Sequence, residues 1–383
     1  MLNSRGPMMQ YWCMQCQTHY LPEPTRIKCD CGGALWLKND NLRLNKHDII
    51  QHDFSLWRYC KAYPITRADV TVSFNETLTP MPETLWDNIP ILVKMDSSMP
   101  TGSFKARGAA MVINTLAKQG IDCFAEDSSG NGGSAYAGYC AKGNLTLNVF
   151  LPAGTAAGKI VQTKMYGANC IEINGTREDV ANAAINSLQT HGSYYVGHNW
   201  HPLFIEGVKS IAYEIWEQNN FQAPDNFIVP AGNGSLIAGA YLGFNELLRA
   251  GEISKIPRLF GIQSAAINPF VKQFNNDDSP LKPKNTIAEG IRITRSSRIF
   301  EIIQFVRRTQ GQFIDVTEQQ IKQALIKMGQ KGFFIEPTSA TAFAGISTLI
   351  ENNIIKPEQT TVGVITGHGL KATEQIQMLT LNE

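Results

Sequence analysis

Phe227-Ile-Val-Pro-Ala-Gly-Asn-Gly-Ser-Leu236 is a β-branched apolar run, then a glycine-rich turn, then the start of a helix that continues over Ile237–Leu248. A strand that passes through so short a turn directly into a helix is the repeating joint of a parallel α/β sheet. The same alternation recurs on both sides. Candidate strands are Ile91–Lys94, Leu147–Leu151, Cys170–Ile173, Asn226–Val229, Leu259–Ile262, Phe313–Val316 and Thr361–Ile365. Between them apolar residues fall at helical spacing, as in Val208, Ile211, Ala212 and Ile215, and in Ile321, Ala324, Leu325 and Met328. The fold class is α/β with parallel sheets. Such sheets bind ligands at the carboxyl ends of their strands, in the loops that lead into helices.

The bulk properties narrow the function. A chain of 383 residues suits two domains and a small accessory piece. Lys plus Arg is 34 against 33 for Asp plus Glu, so no bulk charge draws the protein toward nucleic acid or an anionic membrane. No apolar run approaches the roughly 20 residues of a membrane helix. Met1–Gln10 is polar and lacks the apolar stretch of a secretory signal, which points to the cytoplasm. The stretch 39–90 is irregular and turn-rich, ending in Leu78-Thr-Pro-Met-Pro82, and Asn275–Asn285 is expected as an exposed loop.

Four loops carry chemistry. In Pro100-Thr-Gly-Ser-Phe-Lys-Ala-Arg-Gly-Ala110 the small residues make a turn and a cap, and Lys105 falls in the first turn of a helix. The positive end of the helix dipole favours its neutral, nucleophilic amine, as Schiff-base chemistry requires. Glu126-Asp-Ser-Ser-Gly-Asn-Gly-Gly-Ser134 sets three glycines, three hydroxyls and one amide at a strand-to-helix turn. Its backbone N–H groups suit a carboxylate or phosphate, and Asn131 offers an amide to a phenolic oxygen. In Pro230-Ala-Gly-Asn-Gly-Ser-Leu236 the turn lets the backbone approach an anion at a helix start. Thr366-Gly-His-Gly-Leu-Lys371 follows a strand, with Thr366 placed to hydrogen-bond a ring nitrogen and His368 read as a turn residue before a base.

Two nucleotide patterns fail. Gly154-Thr-Ala-Ala-Gly-Lys159 is one residue short of a P-loop and is followed by Ile160 instead of Ser or Thr. After Pro230 the pattern G-x-G-x-x-G breaks at Ile237. A dinucleotide enzyme is therefore disfavoured. A non-catalytic binding protein on the same fold would lack Lys105 or Asn131, and both are present.

Taken in order, these loops resemble the threonine synthase group of the fold-type II pyridoxal-phosphate enzymes. The resemblance runs from about Thr77 to Lys371: Ser103-Phe-Lys-Ala-Arg-Gly108 is similar to the cofactor-lysine motif and Ser128-Ser-Gly-Asn131 to the asparagine loop. Gly232-Asn-Gly-Ser-Leu236 is similar to the phosphate loop, Thr366–Lys371 to the C-terminal loop, and Glu336-Pro-Thr-Ser-Ala340 adds a fifth landmark. The resemblance implies two parallel-sheet α/β domains with the cofactor in the cleft between them, plus a small N-terminal cysteine ribbon. It places a cysteine segment at 1–40, a large cofactor domain at 41–94 and 211–383, and a small mobile substrate domain at 95–210. Lys105 would carry pyridoxal 5'-phosphate as a Schiff base and move protons at the substrate Cα. Asn131 would meet the phenolic oxygen and Thr366 the pyridine nitrogen. Gly232, Asn233, Gly234, Ser235 and Leu236 would hold the phosphate, and Ser128, Ser129 and Gly130 the substrate carboxylate. The implied reaction converts O-phosphohomoserine and water to threonine and phosphate, in a homodimer.

Three positions depart from the family pattern. Ala106 stands where the lysine motif usually has Asp, Thr155 follows the P-x-G turn where a basic residue is usual, and Phe204 replaces the arginine of N-P-x-R-x-E-G. A phenyl ring cannot hold a dianion. Lys159, His198 and Asn199 are the candidate substitutes, with His201 beside them. The alternative is β-elimination or β-replacement on a serine, threonine or O-substituted serine-type substrate.

Eight cysteines remain. Cys60, Cys123, Cys140 and Cys170 are scattered as small buried hydrophobes of a reducing compartment. Cys13-x-x-Cys16 and Cys29-x-Cys31 suggest a structural zinc ribbon, with a metal-free hairpin as the competing reading because the second pair is tighter than C-x-x-C.

Overall fold

The computed structural model describes residues 9–23, 25–38 and 42–380. The polar N-terminal stretch is described only from residue 9, and the irregular stretch only from residue 42. Three short strands, β1 (Gln10–Cys13), β2 (His19–Tyr20) and β3 (Leu35–Lys38), form an antiparallel sheet ordered β2-β1-β3. The strands β4 (Glu83–Trp86), β5 (Ile89–Met95), β6 (Cys123–Glu126), β7 (Thr146–Pro152), β8 (Asn169–Ile173) and β9 (Tyr194–Tyr195) follow. Then come β10 (Asn226–Pro230), β11 (Arg258–Ser264), β12 (Gln312–Val316) and β13 (Thr361–Ile365). The larger sheet has the order β12-β11-β10-β13-β5-β4 and is parallel except for its antiparallel edge strand β4. The smaller sheet, β8-β7-β6-β9, is wholly parallel. This is the α/β class that strand–helix alternation implies. All seven candidate strands form, within one to two residues at either end.

The described residues separate into two compact units. One takes those up to Phe74 with Gly108–Gly207 and holds the two smaller sheets; the other takes Asn75–Arg107 with those from Val208 onward and holds the six-stranded sheet. These bounds differ from the division drawn from the sequence, which put 41–74 with the large domain and 95–107 with the small one. Asn114 is the reason for the first difference. Its side chain accepts the N–H groups of Thr71 and Val72 and donates to the Val72 carbonyl, tying that stretch to α1 (Lys105–Ala117). The second follows because residues 96–107 lead directly out of β5, and the division falls inside α1 after Arg107.

Burial explains the order of the larger sheet. Its central strands β10 and β13 are buried along their whole length, so they read as continuous apolar runs with no alternation. The helix Pro337–Glu351 packs beneath them, its Phe343 ring 5.5 Å from Trp86 and its Ile346 against Gly363. Burying a side chain of this size contributes about 1.5–3 kcal/mol. Among the described residues, no helix is long and apolar enough to cross a membrane.

One polar cluster interrupts this core. The Arg107 guanidinium donates to Asp96 at 2.7 and 2.8 Å, to both oxygens of Glu214, and to Ser210, with no exposed surface. Lys94 donates to Glu214 at 2.7 Å and to the Thr79 carbonyl. Burial alone would raise Glu214, but Arg107 and Lys94 outweigh it and hold the carboxyl down at about 2. A group held below its ordinary 4.5 adds stability above that pH and loses it as the pH falls toward 2. Replacing Arg107 by Met leaves two buried carboxylates facing one lysine. We expect Arg107→Met to lose about 3–5 kcal/mol in urea unfolding at pH 7; a loss under about 1 kcal/mol would contradict this account.

Candidate active site

Three of the four sequence loops leave the carboxyl ends of three adjacent strands. β10 leads to Ala231–Gly234, β13 to Thr366–Lys371, and β5, through a short turn, to Lys105. The second and third are stitched together. The Phe104 N–H donates to the Thr366 carbonyl at 3.0 Å, the His368 N–H to Gly102, and the Lys371 Nζ to Thr101. Burial lowers the Lys371 ammonium, against the pull of Glu336. His368 accepts the Leu370 N–H through Nδ1, so it caps its own turn. Lys105 is the first residue of α1, half-buried, with Nζ 4.9 Å from the Phe104 ring centre. Next to it the Ser103 hydroxyl is fully buried without a protein partner.

Thr366 is buried and meets the Ser339 hydroxyl at 3.0 Å, while the N–H groups of Thr366 and Gly367 donate to that same hydroxyl. A ring nitrogen at Thr366 would therefore meet neutral groups. Within Glu336–Ala340 the sequence gives no sign of a role for Ser339, because only the folded chain brings a helix start onto the end of β13.

The helix Ser235–Ala250 begins with no side-chain cap, and Gly234 takes a left-handed φ of +79°. Its first N–H groups face outward as an anion cradle. A Cβ at Gly234 would lie 2.5 Å from Ile302, and one at Gly232 would lie 3.2 Å from the Gly290 carbonyl. The Ser296 hydroxyl fixes the Asn233 carbonyl at 3.0 Å. A reactive amine, an orphaned buried hydroxyl, an open helix terminus and a neutral hydroxyl pair fit a phosphorylated pyridine aldehyde.

The fourth loop belongs to the other unit. Asn131 begins α2 (Asn131–Lys142), Gly130 is its cap position, and the Ser128 hydroxyl accepts the Gly130 N–H at 3.3 Å. A Cβ on Gly132 would lie 2.7 Å from His198 Nδ1 and 3.1 Å from Ser128 Oγ, so the imidazole abuts this loop. His198 Nδ1 is 2.6 Å from Glu126, and its N–H donates to the same carboxylate. The parallel pairing of β6 with β9 creates this contact, because the chain leaving each strand runs beside the other. Asn199 follows in the same stretch, whereas Lys159 lies on the exposed face of α3 (Ala157–Met165). Phe204 is fully buried, tilted against the rings of Tyr136 and His198, and within 2.4 Å of where a Gly108 Cβ would sit. Burial pushes the Tyr136 phenol well above its ordinary range.

In the small antiparallel sheet the sulfurs of Cys13, Cys16, Cys29 and Cys31 lie within 4.8 Å of one another, with Cys13–Cys31 at 3.6 Å and Cys16–Cys29 at 3.4 Å. Zinc–sulfur bonds of about 2.3 Å would set tetrahedral sulfurs roughly 3.8 Å apart, so the cluster fits one ion.

The loops and the sheets that carry them are those of a fold-type II enzyme. The pyridoxal-phosphate dependent enzyme family model matches residues 73–367. The threonine synthase of Methanocaldococcus jannaschii is 31% identical over 375 residues, covering 94% of this chain and 92% of that one. That of Methanosarcina acetivorans is 30% identical, covering 95% and 92%. Among solved structures, threonine deaminase isoform 2 of Solanum lycopersicum superposes with a TM-score of 0.70 at 18% identity, covering 93% of this chain and 95% of that chain. Maize serine racemase superposes at 0.68 with 20% identity, covering 86% and 98%. The chain belongs to the pyridoxal-phosphate dependent enzyme family, on its threonine synthase-like branch. It is a pyridoxal-phosphate-dependent lyase.

The left-handed backbone at Gly234 disfavours any side chain by about 1–2 kcal/mol before the Ile302 contact is counted. Gly234→Ala is expected to raise the cofactor concentration that half-saturates the visible absorption band by about tenfold or more. An unchanged midpoint would remove this loop from the cofactor site.

Proposed function

We propose that this lyase acts on a small amino acid whose departing group is not phosphate, by β-elimination or β-replacement on a serine, threonine or O-substituted serine-type substrate. The observation that carries this reading is Phe204. Where the family resemblance expects an arginine, a buried phenyl ring packs on the rings of Tyr136 and His198, and that imidazole faces the Glu126 carboxylate. A phosphate dianion brought to this ring would be desolvated and gain no charge from it.

Lys105 is the amine to which the cofactor aldehyde joins, and once released it moves the proton at the substrate Cα. Gly232 to Leu236 hold the phosphate, Thr366 with Ser339 meets the ring nitrogen, and Asn131 meets the phenolic oxygen. Ser128, Ser129 and Gly130 take the substrate carboxylate at the start of α2. Bound there, pyridoxal phosphate supplies an electron sink for charge developing at Cα. A homodimer in the cytoplasm, without nucleic-acid or membrane partners, completes the proposal; near-zero net charge and eight free cysteines support it.

A second reading, threonine synthase itself, is favoured by the 31% identity to the Methanocaldococcus jannaschii enzyme across nearly the whole chain. It requires Lys159, His198 or Asn199 to receive the substrate phosphate. The two readings separate in one assay series. Purified protein should be yellow, Lys105→Ala colourless and inert, and kcat/KM for O-phosphohomoserine at least about 100-fold below that for serine, threonine or O-acetylserine. Threonine and phosphate released from O-phosphohomoserine with the highest efficiency in the series would establish the second reading instead.

The cysteine cluster is proposed to hold one structural zinc, because four thiolates leave no open position. Metal analysis at neutral pH should find about one zinc per chain, lost together with thermal stability in Cys29→Ser. Protein free of zinc at full stability would leave the metal-free hairpin.

A further inference from the structure

We infer that His198, oriented by Glu126, is the acid that protonates the group leaving the substrate Cβ. The inference rests on the reading above, that this group is not phosphate. Phosphate leaves as a stable anion, whereas hydroxide does not: bulk water has a pKa of about 15.7. Elimination from a serine-type substrate therefore needs a proton delivered to the departing oxygen, a task separate from removing the proton at Cα.

The unit that carries the carboxylate loop holds a group built for this. His198 is buried, and its Nδ1 lies 2.6 Å from a Glu126 carboxylate that has no exposed surface. A carboxylate accepts only, so Nδ1 carries the hydrogen, and Nε2 is the nitrogen that gains and loses a proton. The second contact, from the His198 N–H to the other Glu126 oxygen at 3.2 Å, fixes the backbone as well as the ring. The ring abuts Gly132, one residue beyond Asn131, where any side chain would strike it. An amino acid anchored by its carboxylate at Ser128–Gly130 has its Cβ two bonds away, within a few ångströms of this wall.

Phe204 and Tyr136 make an apolar flank, with the Tyr136 hydroxyl buried and un-ionised. Asp127 is engaged by Arg177 at 2.7 Å and by the Tyr195 hydroxyl at 2.9 Å. His201, three residues on, is buried, and its N–H donates to Gly197. The step balances as follows. Removal of the Cα proton leaves an electron pair that forms the Cα–Cβ double bond, the Cβ–O bond breaks with its pair on oxygen, the oxygen takes the proton from Nε2, and water departs. The neutral imidazole keeps its Nδ1 hydrogen on Glu126 and regains a proton from solvent.

The test compares L-serine with β-chloro-L-alanine, whose chloride needs no proton. General acids contribute about 10²–10⁴-fold, so in His198→Gln the ratio of serine to chloroalanine turnover should fall by about 100-fold. In Glu126→Gln it should fall by about tenfold. Both variants should keep the visible cofactor band. The alkaline limb of the wild-type serine profile should vanish in His198→Gln. By NMR of the holoenzyme, the His198 ring should titrate at lower pH in Glu126→Gln, since the carboxylate that favours its charged form is gone. Equal losses on both substrates, or a titration indifferent to Glu126→Gln, would overturn the inference while leaving the reading above intact. Wild-type enzyme that processes neither compound would refute that reading and the acid with it.

Discussion

The placement of Lys105 depends on a guanidinium two residues further along the same helix. Arg107 is surrounded by Asp96, Glu214, Ser210 and Thr79, which come from the turn after β5, the helix Ser210–Gln218 and the stretch before β4. With Lys94 the cluster holds two positive and two negative charges, so its burial is tolerable only while it is complete. Two residues of helix turn a side chain by roughly 200°. Arg107 pointing into the core therefore obliges Lys105 to point nearly the opposite way, over the Phe104 ring. The ionic cluster acts as an anchor that aims the amine.

The aim is useful because parallel sheets collect their loops at one end. β10, β13 and β5 are neighbours, so the anion cradle, the threonine and the lysine emerge side by side even though they stand 126 to 261 positions apart in the chain. Each loop on its own is a weak signal. The cradle resembles a dinucleotide turn, and a lone lysine is a surface charge. Their convergence follows from strand order, which the alternation of elements constrains without specifying.

Much of this was legible in the chain itself. The strands around 91, 147, 170, 226, 259, 313 and 361 each appear in the fold, and those at 226 and 361 are runs buried on both faces, the pattern the centre of a parallel sheet requires. The short β6, Cys123–Glu126, was harder to see, because four residues ending in a glutamate look like a loop edge. Side-chain pairings across the chain were not legible at all. Ser339 reaches Thr366 across 27 residues and His198 reaches Glu126 across 72, and neither spacing has a periodicity to betray it. The unit boundary inside α1 was hidden for the same reason: a helix shows no break in its pattern where its neighbours change. Glu126 lies inside the loop Glu126–Ser134, but its partner lies after β9, a strand only two residues long, so nothing local in the sequence points to the pair.

Charge around the asparagine loop limits what that loop can receive. The start of α2 offers roughly half a positive charge and several open N–H groups, which suits one carboxylate. Asp127 pairs with Arg177, and Glu126 faces His198. The side chain that occupies the family's arginine position contributes no charge, because it is Phe204. A single anionic group can be held at that helix start, while a second, doubly charged one would approach two buried carboxylates, Glu126 and Asp127. On the proposed reading, an arrangement that disfavours a substrate phosphate favours a protonated imidazole, and an elimination that lacks a stable leaving anion needs the latter.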